Sequence, residues 1–216
     1  MIFEDRHKGG QKLVPLLKAC YGKADVVVLG VARGGVPVAY EISPGLHAAM
    51  DVMLIRRLGV PENRELAMGC VASGGVRLIN FDIVEMLKIE QFEIDIAIIE
   101  AEREIQRLER YYRRGRANLE LQGRTVIVAD DGIATGITMR AAISAVKQRG
   151  AARVVAAAPT AAPHACLALG NLADEVVCVS RPNPYVAVSR WYRNFVEIRD
   201  DSIRESLERA RRDVTG

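Results

Sequence analysis

The chain has 216 residues, of which 50% are hydrophobic and 26% are charged, and its formal net charge is +3. This length and composition are typical of a single globular domain with a buried core, here expected to span residues 1–216. The net charge is too small to indicate a nucleic-acid partner by itself. No apolar run approaches the ~18–20 residues of a membrane span, and the first residues lack a signal-peptide pattern, so we expect a cytoplasmic protein without membrane contact. The four cysteines lie far apart, which favours free thiols in a reducing compartment.

Apolar strand-like runs alternate with helical patterns along most of the chain. Apolar positions at helical spacing between His7 and Cys20 predict a first helix, in which Pro15 marks a kink or a late start. Further strands are predicted at 25–31, 51–55, 125–129, 154–158 and 175–179, and further helices at 90–114, 136–149, 164–169 and from 202 onward. This alternation implies right-handed crossovers, and therefore a largely parallel sheet with helices packed on it.

The stretch from Val126 to Met139 has the clearest chemistry in the sequence. A β-branched apolar run ends in the adjacent acids Asp130 and Asp131, and a loop of small residues then leads into a helical pattern. A helix N-terminus suits a phosphate because its first N–H groups are unpaired and its dipole end is positive. Ionised carboxylates only accept hydrogen bonds, so the two acids suit vicinal ribose hydroxyls. The alternative is an ordinary strand–helix turn with solvated acids.

These residues resemble the signature of the type I phosphoribosyltransferases, enzymes that use 5-phosphoribosyl-1-pyrophosphate (PRPP). The family pattern of four apolar residues, two acids and a Thr-Gly-x-Thr ending reads here as Val126–Ala129, Asp130-Asp131 and Thr135–Thr138. The resemblance implies an α/β fold with a largely parallel twisted sheet flanked by helices, a small C-terminal hood and a flexible loop. It also implies that six loop residues bind the 5′-phosphate of PRPP: Gly132, Ile133, Ala134, Thr135, Gly136 and Thr138.

One position departs from the family pattern. Several members that act on purine bases have an Asp where this sequence has Ala134, and that Asp is often proposed as the general base. Phosphate binding should survive the change because backbone amides provide it, whereas base-assisted chemistry at that position should not. Asp130 and Asp131 remain the expected catalytic acids, since they would hold the ribose hydroxyls and stabilise developing positive charge.

A second glycine loop follows the first predicted strand and resembles the pyrophosphate loop of the same family. The amides of Gly34 and Gly35 would approach the ligand closely, and Arg33 would add a cation. Arg56 follows the second predicted strand and is a further candidate for pyrophosphate binding, although a solvated strand end explains it equally well. The carboxyl ends of parallel strands meet at one edge of an open sheet, so we expect both loops to form one site there.

Residues 58–80 are expected to form a flexible loop followed by a hairpin. The first part is rich in turn-forming and charged residues, and the resemblance implies that it closes over PRPP and excludes water. Glu65, and near it Asn63, are the candidates for a base that replaces the one missing at position 134. Gly74 and Gly75 lie between two β-prone runs, which predicts the hairpin.

Residues 180–200 concentrate aromatic side chains. The family has a hood near this position that stacks on the acceptor base, so Tyr185 and Trp191 are candidates for acceptor binding and Tyr192 is a further platform. The alternative is that these rings pack the C-terminal segment onto the sheet. A basic run at the end of the long helix predicts either a patch for an anionic partner or a solvated helix end. Its members are Arg107, Arg110, Arg113, Arg114 and Arg116.

The resemblance implies an enzyme that transfers the phosphoribosyl group of PRPP to a nucleobase or a similar heterocycle and releases pyrophosphate, as in nucleotide salvage. Mg²⁺ would bridge pyrophosphate and ribose hydroxyls, with no direct protein ligand expected. A homodimer is a possible assembly, because family members are commonly dimers, and nucleic acid is not an expected partner. Two alternatives stay open: a non-catalytic regulator that binds PRPP or a nucleotide, and a PRPP hydrolase or another phosphoribosyl enzyme.

Overall fold

A five-stranded parallel sheet forms the centre of the protein. In a computed structural model, residues 1–23, 25–61, 63–114 and 116–215 are described, apart from the side chains of residues 64, 65 and 213–215. The strands of the central sheet are β1 (Val26–Val31), β2 (Ala49–Met53), β6 (Thr125–Ala129), β7 (Arg153–Thr160) and β8 (Glu175–Ser180). Their order is β2-β1-β6-β7-β8, and every neighbouring pair is parallel. The predicted fold class is therefore confirmed.

Helices cover both faces of this sheet. They are α1 (Arg6–Leu13), α2 (Gly35–Leu46), α4 (Gln91–Arg113), α5 (Ile137–Gln148), α6 (Pro163–Gly170) and α7 (Asp200–Thr215), whereas α3 (Phe81–Leu87) lies against the smaller sheet described below. Successive strand residues point to opposite faces, so Val28 enters the core beneath α1, α2, α4 and α7, whereas Val27 enters the core beneath α5 and α6. None of the helices within the described residues is long and apolar enough to cross a membrane.

The predicted helices are confirmed with small changes at their ends. The first one stops at Leu13 and continues as a 3-10 helix, Val14–Cys20, because Pro15 has no N–H for an α-helical bond. The long helix α4 begins with a capping box, in which the side chains of Glu90 and Glu93 each accept a hydrogen bond from the other residue's backbone. Its apolar stripe then packs into the core.

A small antiparallel sheet replaces the loop that was expected after the second strand. It contains β3 (Ile55–Val60), β4 (Asn63–Ala72) and β5 (Val76–Ile79), in the order β3-β4-β5. The hairpin at Gly74 and Gly75 is confirmed, and both glycines have a positive φ.

The predicted strand boundary at 51–55 is wrong, and so is the open loop after it. Leu54 leaves the central sheet and exchanges hydrogen bonds with Ser73, which fixes the base of the β3–β4 ladder. The turn-forming residues that suggested a loop have local roles instead. Gly59 lies at a register shift in the ladder, and Pro61 lies at its tip.

Candidate functional site

The two glycine loops meet at the carboxyl edge of the central sheet, because the strands before them, β1 and β6, are neighbours. A Cβ added to Gly34 would lie 2.2 Å from Oδ2 of Asp131, and one added to Gly35 would lie 2.2 Å from the carbonyl oxygen of Ala129. Only glycine allows this approach. The structure therefore brings the predicted pyrophosphate loop into direct contact with the predicted acids.

The loop between β6 and α5 has the geometry of a helix-start anion site. Gly136 has a φ of +80° and is the N-cap of α5, and Thr138 lies in the first turn with a half-buried side chain. The N–H groups of that first turn have no intrahelical partner, and they form the positive end of the helix dipole. Thr135 is exposed and Ala134 is half-buried, so both remain accessible to a ligand.

Ile133 differs from the other predicted phosphate-binding residues. Its side chain is buried in the core, and its backbone N–H donates to the carbonyl oxygen of Thr160 at 3.0 Å. That N–H is already paired in this structure, so it is not open to a phosphate here, and phosphate binding by Ile133 stays a prediction. Its role is to anchor the loop to strand β7.

The acid pair lies in an environment that opposes its ionisation. Burial raises the pKa of Asp130 well above its ordinary value, and repulsion from the neighbouring Asp131 carboxylate raises it further. Burial also raises the pKa of Asp131, although hydrogen bonding and attraction from Arg6 act in the opposite direction. The charged groups that act on the acid pair are thus the two neighbouring carboxyl groups themselves and the guanidinium of Arg6.

Arg6 is the main site residue that the sequence analysis missed. Its Nε donates to Oδ2 of Asp131 at 2.7 Å, and the two side chains are only 9% and 13% exposed. Its Nη1 donates to the carbonyl oxygen of Val196, and its guanidinium carbon lies 3.8 Å from the centre of the Phe195 ring. Arg6 therefore connects helix α1, the acid pair and the C-terminal segment.

The C-terminal segment forms a cover over the acid loop. A Cβ added to Gly132 would lie 2.5 Å from Cγ1 of Val188 and 2.9 Å from the hydroxyl of Tyr185. The ring centres of Tyr185 and Trp191 are 5.9 Å apart. Tyr192 is buried, and its hydroxyl donates to the carbonyl oxygen of Asp131. Thus Tyr192 packs the segment onto the core, whereas Tyr185 and Trp191 border the site.

Three buried polar atoms in this region lack a hydrogen bond of good geometry among the described residues, although two of them, in Tyr185 and Thr160, lie close enough to interact with each other. They are the hydroxyl of Tyr185, Nε1 of Trp191 and Oγ1 of Thr160. Burial raises the pKa of the Tyr185 hydroxyl to about 12, so it stays protonated and remains a donor at neutral pH. Buried polar atoms are normally paired in folded proteins. Nε1 of Trp191 is consequently the atom among them best suited to pair with a bound polar ligand.

The predicted pyrophosphate-binding arginines have carboxylate partners in this structure. Arg33 contacts Oδ1 of Asp200 through Nε at 3.0 Å and Oε1 of Glu197 through Nη1 at 3.3 Å. Arg56 lies in strand β3, and its Nη2 donates to Oε1 of Glu104 at 3.1 Å. An incoming pyrophosphate would therefore have to compete with these carboxylates for both guanidinium groups.

A cleft of about 820 Å³ extends from the two loops toward helix α4. Ala32 of the pyrophosphate loop and Thr138 of the phosphate loop both line it, as does Arg56 on the wall formed by β3. The buried Nε of Arg56 has no hydrogen-bond partner among the described residues. Because these residues border one space, a single ligand can contact both loops and the arginine.

A model of one protein family matches most of the chain. This model, described as the phosphoribosyl transferase domain, covers residues 12–189. The chain belongs to the phosphoribosyl transferase family. Two proteins of Mycobacterium tuberculosis, from two strains, are 42% identical to it over 212 residues. Both have names that describe them as provisional phosphoribosyl transferases. The alignments cover 98% of this chain but 48% of each relative, so the chain spans about half the length of these curated relatives.

A solved structure from Thermus thermophilus has the same fold along nearly its whole length. The TM-score is 0.81 with 37% sequence identity, and the superposition covers 96% of this chain and 98% of the other. Membership in the family confirms the resemblance that was inferred from the signature. The candidate base Glu65 remains a prediction, because its side chain lies outside the described residues; Asn63, at the start of β4, is exposed.

Proposed function

We propose that this chain transfers the phosphoribosyl group of PRPP to a nitrogen of a heterocyclic acceptor and releases pyrophosphate. One observation supports the proposal above all: a half-buried acid pair, a two-glycine loop and a helix-start loop meet at one edge of the sheet. Each part suits one portion of PRPP, namely the ribose, the pyrophosphate and the 5′-phosphate.

The 5′-phosphate would bind to the backbone amides from Ala134 to Thr138, and the threonine hydroxyls would add donors. The ribose hydroxyls would then lie above the preceding acids and donate to the Asp130 and Asp131 carboxylates. As the bond between ribose and pyrophosphate breaks, positive charge develops on the sugar ring, and the nearby carboxylates stabilise that charge. The two acids thus act mainly by position and electrostatics.

Pyrophosphate would bind to the amides of Gly34 and Gly35, with Arg56 reaching it across the cleft. Mg²⁺ fits this site because it prefers oxygen ligands, commonly one or two carboxylates together with substrate phosphates. The acid pair offers such oxygens, and a bound cation would oppose the burial that raises the pKa of both carboxyl groups. When bound, Mg²⁺ would neutralise charge on the leaving pyrophosphate. Within the described residues there is no cluster of three or more metal-binding side chains, so the protein would provide at most part of the coordination.

The acceptor would lie against Tyr185 and Trp191. The indole N–H of Trp191 is only a donor, and the Tyr185 hydroxyl is kept protonated by its raised pKa. A planar heterocycle with hydrogen-bond acceptor atoms, such as a ring nitrogen or a carbonyl oxygen, would satisfy both donors and stack on the rings. No carboxylate is present at position 134, so proton removal would fall to Glu65, to the solvent or to the acceptor itself.

The test is release of pyrophosphate from PRPP and Mg²⁺ with separate purine, pyrimidine and pyridine bases and a control without base. We expect release with one class of base only, and loss of PRPP binding in the Asp130→Asn/Asp131→Asn double variant. A matched control is Asp82→Asn/Asp95→Asn, which removes two exposed acids from helices α3 and α4 and should leave PRPP binding unchanged. If the acid-pair variant binds PRPP as tightly as the control variant, the assignment of the site is wrong.

A second function is favoured by two observations. Ala134 provides no side-chain base, and the arginines of the pyrophosphate side are paired with carboxylates. These features suit a regulator that binds PRPP or a nucleotide without turnover. PRPP binding that depends on Asp130 and Asp131, together with no release of pyrophosphate from any base, would select this function. Release in the control without base would instead indicate hydrolysis of PRPP.

A further inference from the structure

An apolar surface is exposed on helix α3 and on the first half of helix α4. Six of the fifteen exposed large hydrophobic side chains in the described part of the chain lie between Phe81 and Ile99. They are Phe81, Met86, Leu87, Phe92, Ile96 and Ile99, and between 42% and 69% of each is exposed. We call these six residues the α3–α4 surface.

The α4 members of this surface form one stripe along the helix. Phe92, Ile96 and Ile99 are spaced by four and three residues, so they lie on one face. The helix also has a buried stripe on the opposite side, which packs into the core and consists of Ile94, Ile98, Ala101, Ile105, Leu108 and Tyr112. A helix that is apolar on opposite sides is typically covered on both of them. The core covers only one side of α4.

The size of the α3–α4 surface is sufficient for a stable protein interface. Taking about 200 Å² for a fully exposed large side chain, the observed exposures leave on the order of 600 Å² of apolar area open. The largest apolar patch on a typical monomer is about 300–600 Å². A standard interface buries about 800 Å² on each partner, including its polar rim. A two-fold symmetric dimer uses the same surface on both copies, so this surface can provide the apolar centre of such an interface.

The charges along α4 favour a second copy of the chain as the partner. Asp95 and Glu100 are exposed beside the apolar residues, whereas Arg103 and Arg110 continue the exposed stripe in the second half of the helix. In an antiparallel pair of α4 helices centred on Ile99, Asp95 of one copy would lie beside Arg103 of the other. The reason is that both residues are four positions from the centre, and the two-fold axis repeats the pair. Opposite charges then meet on both sides of the apolar centre.

The basic run that the sequence shows at the end of α4 is not a single patch. Arg113 is buried and contacts both carboxylate oxygens of Asp51 at 3.1 Å. Arg107 forms two hydrogen bonds with Glu104. Arg110 is exposed on the stripe described above. The arginines of α4 thus differ in their roles, and those of the exposed stripe belong to the rim of the α3–α4 surface.

We propose that the α3–α4 surface is the interface of a two-fold symmetric homodimer, in which the α4 helices of two copies pack antiparallel across Ile99. This proposal does not depend on the proposed function. Phe92 and Ile96 also line the cleft of about 820 Å³. The second copy would therefore lie at the rim of that cleft and narrow its opening to solvent.

The experiment is sedimentation velocity of the full chain over a concentration series in the micromolar range. We expect a species of twice the chain mass of 23.7 kDa. Ile99→Glu places two carboxylates at the two-fold axis and should weaken the dimer at least about tenfold. The matched control is Leu167→Glu, which replaces an apolar residue of α6 that is 77% exposed and should change the dimer dissociation constant by less than about twofold. Thermal melting of each variant verifies folding.

A charge exchange tests the antiparallel arrangement. Asp95→Arg and Arg103→Asp should each weaken the dimer, because each places like charges beside one another at both symmetry-related pairs. A mixture of the two variants should form a heterodimer, since opposite charges then meet at both pairs. The two positions are about 12 Å apart along α4, so a contact within one chain cannot explain this recovery.

Three results would overturn the proposal. The first is a chain that stays monomeric through the concentration series, and the second is a dimer that Ile99→Glu leaves unchanged. The third is a mixture of the charge variants that forms no heterodimer. Phosphatidylcholine vesicles provide the last arm. If the monomeric chain binds these vesicles and Ile99→Glu abolishes the binding, the surface is a membrane contact instead of a dimer interface.

Discussion

The contact between Arg6 and Asp131 provides the sharpest test of how this site is held together. Replacing Arg6 with Gln leaves a largely buried carboxylate without its cation. The Nε–Oδ2 hydrogen bond of 2.7 Å is lost, and so is the stacking on Phe195. Both members of the pair are largely excluded from solvent, so water can replace the missing partner only in part.

The expected cost follows from this burial. Removing one partner of a buried ion pair costs about 3–5 kcal/mol, whereas an exposed pair is worth about 0–1 kcal/mol. A domain has only about 5–15 kcal/mol of stability in total, so Arg6→Gln should remove a large part of it. A suitable control is Arg204→Gln. Arg204 pairs with Asp201, which is mostly exposed, and lies 5.2 Å from the Tyr111 ring, so its loss should cost about 1 kcal/mol or less.

The effect should depend on pH in a defined direction. Arg6 lowers the pKa of Asp131, so its removal lets burial raise that pKa further. A carboxyl group with a raised pKa in the folded state loses stability as pH rises through that pKa. The destabilisation by Arg6→Gln should therefore be larger at pH 8 than at pH 5, where more of the Asp131 carboxyl is protonated.

Urea unfolding of Arg6→Gln, Asp131→Asn and the double variant measures these quantities. Because the two residues form one pair, the double variant should be less destabilised than the sum of the single variants, by about 0.5–3 kcal/mol. Three results would refute this reasoning: a cost below about 1 kcal/mol for Arg6→Gln, an effect that is the same at pH 5 and pH 8, or strict additivity of the two substitutions.

Two further predictions concern the same edge of the sheet. Asp130→Asn should stabilise the protein at pH 8 and not at pH 4, because it removes a carboxylate with a raised pKa but keeps the Oδ1 acceptor used by the backbone N–H of Asp131. Urea unfolding measured across this pH range checks the prediction, and equal stabilisation at both pH values would contradict it. Gly35→Ala would place a Cβ 2.2 Å from the carbonyl oxygen of Ala129, so it should lower the free energy of unfolding by about 1–3 kcal/mol and weaken PRPP binding at least about tenfold. The control is Gly170→Ala, whose Cβ would meet no atom within 4 Å and which should change neither the melting temperature nor PRPP binding.

The sequence was sufficient to predict the central sheet and the meeting of the two glycine loops at its carboxyl edge. The reason is that each loop is a contiguous segment whose chemistry follows directly from its own residues. Val126–Ala129 is a strand by its β-branched pattern, and Gly34-Gly35 needs no distant partner to be recognised as a close-approach loop. The position of both loops at one edge then follows from the rule that parallel strands present their carboxyl ends together.

The partners of the site could not be predicted in the same way. Arg6 lies 125 residues before Asp131, in a short helix without any motif, and Arg33 meets its carboxylates in the last helix and the segment before it. These contacts depend on tertiary packing across the whole chain. The β3–β4 ladder was missed for another reason. Gly59 and Pro61 are residues that are common in loops, but here Gly59 lies at a register shift inside the ladder and Pro61 lies at the tip of the hairpin that joins β3 to β4.

The distribution of charge at the acid pair has a consequence for the proposed reaction. Arg6 pairs with Asp131 and holds it in place, whereas no ion pair of Asp130 is formed within the described part of the chain, and the pKa of Asp130 is the more strongly raised. Under the proposed function, the two acids therefore have different tasks. Asp131 would provide a fixed, ionised acceptor for one ribose hydroxyl. Asp130 would ionise fully only when ligand hydroxyls and positive charge arrive. PRPP and Mg²⁺ should therefore each bind more tightly in the presence of the other. Asp130→Asn should weaken this coupling more than Asp131→Asn does.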